Sequence, residues 1–342
     1  MVYEEILGME NQMKFEGQIE CISILRVIGA LGIALYHIGT FNNYIATPHA
    51  GVSLFFCISA FLMMYTTQKG VPEHYILKRL IRIVPLYWIM TVFTFAAMQI
   101  IPSISTGGGT PEFVKSLFFI PYVRHALKSA DVVRPMVGPA WTLFYDVYFT
   151  VIFGASMKIS HKFRGILAAV VCTMLLMIQY RFSPEHPFLF ILAQPWWISF
   201  VVGIGVFYAL RSVWNKSITT RLQILLGVLA AIALVLMFLS DLNIYRNAVL
   251  SGVALFSLVL AFKKQAMPKA INHLGKISFS FYMIHYYVIL IVGRVIGLKV
   301  ISVKSMCAIA IIMLSSVVLA SIANYLIEDK FTCFLKKKLC RE

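Results

Sequence analysis

The stretch RVIGALGIALYHIG, residues 26–39, is apolar apart from a guanidinium at one end and an imidazole near the other. Widened to 21–40 it gains no further charge. About 20 apolar residues at a rise of 1.5 Å each are what a helix needs to cross the roughly 30 Å hydrocarbon layer of a bilayer. Eleven residues at about 100° each fall within about 20° of three full turns. Arg26 and His37 therefore leave such a helix on one face, about 16 Å apart along its axis. A single face suggests a shared cavity.

The rest of the chain repeats this signal. Of 342 residues, 60% are hydrophobic and 13% charged, and the mean hydropathy is +0.84, which makes the membrane the solvent of the chain. Candidate spans fall near 21–40, 51–67, 83–101, 139–157, 165–180, 189–210, 222–240, 247–262, 277–297 and 302–326, the second and fifth being short. The expected fold is an all-α polytopic membrane bundle of about ten transmembrane helices. It forms one domain over 1–342: an N-terminal segment 1–20, the bundle 21–326 and a basic tail 327–342, with no fused soluble domain. The first 20 residues carry five Glu and one Lys, the opposite of a basic signal-peptide start. No internal repeat is visible. The longest segment between spans, 102–138, is rich in Gly and Pro, which favours an irregular or partly helical loop, either a lid or a plain connector.

The distribution of Lys and Arg sets the expected orientation. With the N-terminus cytoplasmic, Lys14, the clusters within 69–82, 158–164, 211–221 and 263–276, and the tail all face inward. They outnumber the outward Lys and Arg about two to one, and an even number of spans puts both termini in the cytoplasm. Basic inner loops against anionic lipid account for the net charge of +16 without nucleic acid as a partner. The six cysteines are scattered with no C-x-x-C pair, so they read as small apolar residues rather than a disulfide framework or metal site.

An ionisable side chain inside a bilayer is costly enough to be a functional hypothesis in itself. Read blandly, Arg26 is an anchor snorkelling to the interface and His37 a packed histidine bonded to a carbonyl. In HYILKRLIRIVPLYW, residues 74–88, Lys78, Arg79 and Arg82 meet the cytoplasmic start of the third span. Arg79 and Arg82, three apart, share a helix face; their guanidinium forks suit the phosphates of a cofactor, or they are ordinary inner-face charge. In GPAWTLFYDVYF, residues 138–149, Asp146 enters a span at about the depth inferred for His37. A carboxylate beside an imidazole fixes its tautomer and raises its basicity, as a general base near neutral pH requires; the alternative is a helix–helix hydrogen bond. In HLGKISFSFYMIHYYVIL, residues 273–290, His285 lies near mid-span with Ser278 and Ser280 below it, either lining the same cavity or linking helices.

Taken in order, these segments resemble the acyltransferase-3 family of integral membrane proteins, which O-acylate bacterial surface glycans and related acceptors. Arg26 and His37 match its Arg-x10-His pattern. GVSLFFCISAFLMMY, residues 51–65, is similar to its Gly-Val-Asp-Leu-Phe-Phe-x-x-Ser-Gly-Phe-Leu segment, and Arg79, Arg82, Pro85 and Tyr87 match the basic stretch that follows. Trp141, Thr142, Leu143, Asp146, Tyr148 and Phe149 resemble its Trp-Ser/Thr-Leu-x-x-Glu-x-x-Phe-Tyr segment. LGKISFSFYMIH resembles its Leu-Gly-x-x-Ser-Tyr-x-x-Tyr-x-x-His signature, and YLIEDKF, residues 325–331, its terminal Ile-Glu-x-Pro-Phe. Departures are Ser53 for Asp, Ala60 for Gly, Asp146 for Glu and Lys330 for Pro.

The resemblance implies a bacterial inner-membrane enzyme that moves an acyl group, usually acetyl, from cytoplasmic acyl-CoA to a hydroxyl of an extracytoplasmic polysaccharide or glycoconjugate. Acyl-CoA is then a substrate, and neither a permanently bound cofactor nor a metal is expected. Arg26, Arg79 and Arg82 would bind its phosphates, and His37, oriented by Asp146, would be catalytic. Ser59, Trp141, Tyr148, Ser278 and His285 are further pore or site candidates. The rival classes are a transporter or flippase, for which two related halves would be usual and none is seen, and a sensor or scaffold whose polar residues merely join helices.

Overall fold

The computed structural model of the chain describes residues 19–42, 50–100, 109–124, 132–181, 186–239, 243–296 and 303–340. Sequence readings placed on the acidic start, on Lys14, Lys128, Lys299 and Arg341, and on 101–108 and 125–131 lie outside the described residues.

Each apolar stretch folds largely as helix. The order is α1 (Ile22–Asn42), α2 (Ala50–Thr66), α3 (Tyr75–Ile100), α4 (Thr110–Leu117), α5 (Trp141–Ile159), α6 (Arg164–Arg181) and α7 (Pro187–Leu192). It continues with α8 (Trp197–Val213), α9 (Thr220–Leu239), α10 (Ile244–Phe262), α11 (Lys269–Lys276), α12 (Ser278–Ile296) and α13 (Val303–Ala323). A π-helical turn, Asn324–Phe331, then joins α13 to α14 (Thr332–Cys340).

By length and composition six of these segments can cross a membrane: Ile22–Gly39, Tyr75–Ile100, Pro187–Val213, Thr220–Leu239, Ile244–Phe262 and Ser305–Cys340. A seventh is the pair α11 and α12, bent by 67° at its junction, if it is taken as one span. The sequence expectation of about ten is higher because it counts α2 and α6, which are short apolar helices, and α5, where Asp146, Lys158 and several hydroxyls dilute the apolar run.

Helix α2 is short because it has no lipid face to cover. It is apolar on every side, and twelve of its residues, from Ala50 to Met64, are buried. An all-round apolar helix is one packed on all sides, and α1, α5, α8 and α10 surround it. Backbones approach closely at two of these crossings. A Cβ on Gly51 would stand 2.5 Å from the Gly29 carbonyl oxygen of α1, and one on Gly203 of α8 would overlap the Cys57 carbonyl. Small residues at crossings are how membrane helices gain packing where lipid offers no hydrophobic gain.

At the periphery the pattern inverts. On α9, Ile224, Leu225, Val228, Ile232, Val235, Leu236 and Leu239 are all exposed, with Leu314, Val318 and Ile322 likewise on α13. So large an apolar surface is soluble only in lipid.

One end of the bundle carries a polar cap built from part of the Gly- and Pro-rich segment. It comprises α4 and a two-residue antiparallel pairing of Val123 with Val133 and Arg124 with Val132. Tyr87 donates to the Ser116 carbonyl at 2.7 Å, Trp88 to the Leu117 carbonyl at 2.9 Å and Tyr148 to the Phe119 carbonyl at 2.7 Å. Aromatic side chains with a polar tip suit this boundary, ring in the bundle and hydroxyl or indole N–H on a loop carbonyl.

Candidate active site

Five helices place residues around a common interior. Arg26 and Ile33 of α1, Phe55, Ser59 and Leu62 of α2, Arg79 and Arg82 of α3, Thr142 and Asp146 of α5, and Ser278 and Tyr282 of α12 line a narrow, largely apolar chamber of about 140 Å³. Arg26 and Ile33 are two turns apart on α1, so the face inferred from the sequence is the face that looks inward. A wider polar vestibule of about 770 Å³ adjoins the chamber, walled by Glu20, Ser23, Asn272, Lys276, Glu328, Asp329 and Lys336. The two spaces share Leu62 and all three arginines, Arg26, Arg79 and Arg82. Anything passing from vestibule to chamber passes a ring of three guanidinium groups.

The arginine ring is only partly neutralised. Arg79 Nη2 donates to Ser59 Oγ at 3.0 Å, and Ser59 donates onward to Asp146 Oδ1 at 2.5 Å. Arg79 and Asp146 are 3.8 Å apart. Arg79 Nε is buried and, among the described residues, has no hydrogen-bond partner. An unsatisfied N–H on a cation facing a cavity is a site for an anion's oxygen.

The vestibule wall is fixed from three directions. Glu20, just before α1, accepts from the Met267 backbone N–H at 2.8 Å and from Asn272 Nδ2 at 2.7 Å. Those donors, the backbone one foremost, hold its carboxyl below the usual range. Lys276 pairs with Asp329 at 2.6 Å. Glu328, on the π-helical turn, accepts from Ser280 and adds a negative charge beside Arg26 and Arg82.

His37 lies one turn beyond Ile33, past the far end of the chamber. Its ring meets His285 at 5.3 Å and Tyr286 at 5.2 Å between centroids. Tyr282, on the chamber wall, has its ring 6.0 Å from that of His285, and its hydroxyl donates to the Pro139 carbonyl and accepts from Thr142 at 2.7 Å.

Asp146 does not stand beside His37, as the sequence had suggested. Its described partners are Ser59, Arg79 and, through its own carbonyl, Thr150. The reason is one of level: Thr142 meets Tyr282, and Asp146, four residues further along α5, falls another turn away from His37 and level with Ser59 and Arg79. A carboxylate in an apolar bundle settles where a cation can offset its desolvation.

Of the remaining candidates, Ser59 and Ser278 line the chamber. Trp141 and Tyr148 do not: Trp141 packs against Trp196 and Tyr145, and Tyr148 holds the cap. His285 is fully buried behind His37 rather than on the chamber wall. No group of three side chains suited to a metal occurs among the described residues. Sequence reasoning named Thr142 only as part of a family segment, and did not single out Tyr282 or Glu328, although these lie within LGKISFSFYMIH and YLIEDKF, segments it had quoted.

Comparison with known proteins identifies the family. Residues 19–325 match the family model described as acyltransferase domain. The exopolysaccharide production protein ExoZ of Rhizobium meliloti is 26% identical over 256 residues, which is 72% of this chain and 78% of that protein. Acyltransferase MdmB of Streptomyces mycarofaciens is 24% identical over 294 residues, 78% of this chain and 73% of that one. No solved structure matches. With a model that spans both the arginine ring and the histidine pair, the chain belongs to the acyltransferase-3 family and is a multi-pass membrane acyltransferase.

Proposed function

We propose that this protein is a bacterial inner-membrane O-acyltransferase that moves an acyl group, most simply acetyl, from cytoplasmic acyl-CoA to a hydroxyl of an extracytoplasmic glycan or glycoconjugate. The observation that carries this reading is the arginine ring at the junction of a polar vestibule and an apolar chamber. CoA has that polarity, with phosphates at one end, a thin pantetheine arm and an apolar acyl tip. Arg26, Arg79 and Arg82 bind the phosphates, the arm threads the chamber, and the thioester arrives at the His37 end. The vestibule is then cytoplasmic, the side on which the distribution of Lys and Arg leads both termini to be expected. The relative named for exopolysaccharide production favours a glycan as acceptor.

In the reaction the acceptor oxygen forms a bond to the acyl carbon, the carbon–sulfur bond breaks, and the hydroxyl proton ends on the CoA sulfur. His37 takes that proton from the hydroxyl and returns it to the thiolate, or it first accepts the acyl group itself and hands it on.

Purified protein given radiolabelled acetyl-CoA without acceptor separates the two routes: label on wild type but not on His37→Ala marks the relay, and unlabelled protein that still transfers marks direct attack. His37→Ala abolishes transfer while the protein inserts normally; retained transfer removes His37 from the site. Replacing Arg79 and Arg82 together with Gln raises KM for acetyl-CoA at least tenfold, about 1.4 kcal/mol for each factor of ten. An unchanged KM returns both to ordinary inner-face charge. Family membership weighs against the transporter reading, and release of free thiol from acetyl-CoA by wild type excludes it.

A further inference from the structure

The vestibule holds more cationic charge than the arginine ring accounts for. Besides Arg26, Arg79 and Arg82, its wall carries Lys276 of α11 and Lys336 of α14. Three carboxylates share that wall, and each is engaged. Glu20 accepts from Met267 and Asn272, Glu328 accepts from Ser280 beside Arg26 and Arg82, and Asp329 holds Lys276 at 2.6 Å. Lys336 is left over: among the described residues it has neither an ion pair nor a hydrogen bond. The Lys276–Asp329 pair is itself open to water, its side chains 55% and 40% exposed. An ion pair so exposed is worth little, so an incoming anion can take Lys276 at small cost.

The sizes of the two spaces say which anion. A CoA molecule whose diphosphate sits at the arginine ring sends its pantetheine arm into the chamber and its adenosine into the vestibule. The apolar chamber, at about 140 Å³, offers a nucleoside neither room nor polar partners, whereas the vestibule, at about 770 Å³, has the size of a nucleotide pocket. The ribose of that adenosine carries a separate 3′-phosphate. As a monoester it bears a charge of about −1.5 to −2 near neutral pH, the densest negative charge on the molecule. Two lysines suit such a group in a wide space. An ammonium is a compact point charge on a flexible stem, while the fixed fork of a guanidinium serves the narrow neck.

We propose that Lys336 and Lys276 form the 3′-phosphate subsite of the donor site, by which the protein tells thioesters of CoA from those of 3′-dephospho-CoA. On CoA binding the 3′-phosphate takes Lys336 first, because nothing competes for it, and shares Lys276 with Asp329. The arginine ring then answers for the diphosphate and the lysine pair for the nucleotide end. This subsite deepens the acyl-CoA reading above and rests on it.

Thiol release from acetyl-CoA and from acetyl-3′-dephospho-CoA, measured on purified protein in detergent, tests it. In wild type the KM for acetyl-CoA lies about tenfold or more below that for the dephospho donor, the worth of one or two charge-assisted hydrogen bonds. Lys336→Gln closes most of that gap. Lys276→Gln, combined with Asp329→Asn so that no carboxylate is left unpaired, closes part of it. A general loss of folded protein or of positive charge weakens both donors alike, so the ratio of the two KM values reports the subsite alone. Wild type with equal KM for both donors, or a Lys336→Gln protein that keeps the full gap, overturns the proposal while the acyl-CoA reading stands. Absence of thiol release from either donor overturns that reading, and the subsite with it.

Discussion

Asp146 illustrates what a single residue in a membrane bundle can and cannot reveal. Its presence in GPAWTLFYDVYF marks a functional site, because an unpaired carboxylate there is too expensive to keep, but its partner depends on the level at which α5 enters the bundle. The structure pairs it with Ser59 and Arg79. Asp146→Asn should therefore leave the pH dependence of kcat where it is in wild type, since the carboxylate is not what orients His37; a displaced profile would restore the aspartate–histidine pairing. Arg79→Lys should raise KM for acetyl-CoA roughly tenfold with kcat within about twofold, because an ammonium cannot serve Ser59 and an incoming phosphate with the fixed geometry of a guanidinium fork. Helical spacing made the arginines and the shared face of Arg26 and His37 legible. Cross-helix neighbours such as Tyr282, Thr142 and Glu328 were not, because nothing in a linear chain fixes the relative height of two helices.

Among the elements, α2 was legible as a helix and not as the centre of the bundle. A segment apolar on every side has no amphipathic face to show which way it points. Its position follows from glycine contacts that appear only once helices meet. Gly51→Val sets a branched side chain against the Gly29 backbone, which cannot yield. Loss of about 1–3 kcal/mol is expected, as for other overpacked sites, read as a lower thermal midpoint in detergent. The joint between the start of α1 and α11 carries a pH signature. Folding lowers the Glu20 pKa through Met267 and Asn272. A lowered acid contributes stability above its unfolded value of about 4.3, and that contribution is lost as pH falls through the lower folded value. Glu20→Gln should remove this acid-limb dependence together with the small stabilisation the carboxylate supplies at neutral pH, read as thermal midpoints of the whole protein in detergent at both pH values.

At the scale of the whole molecule, composition announced a membrane protein and the structure shows how it divides its surface: apolar belt outside, arginine ring within, polar cap at one end. Counting apolar stretches overestimated the segments that meet a strict length and hydropathy standard, because α2 and α5 are shielded by neighbours and need not be lipid-soluble along their whole length. Orientation can be read from a native thiol. Cys333 is exposed on α14, on the vestibule side if Lys336 of the same helix lines that space. A membrane-impermeant maleimide should label it only after the cells are permeabilised; labelling in intact cells would invert the proposed topology.

The π-helical turn Asn324–Phe331 has a consequence for chain length. Each π turn holds about one residue more than an α turn, so α14 runs out of phase with α13 by about 100° per extra residue. That offset is what lets Thr332 bury itself and Lys336 look into the vestibule while Ile322 and Phe334 face outward. Deleting one residue between 324 and 331 would bring the two helices back into phase and swing Lys336 and Glu328 to new bearings, although no side chain in the arginine ring had been touched. The length of this turn is thus as much a part of the donor site as the residues it carries.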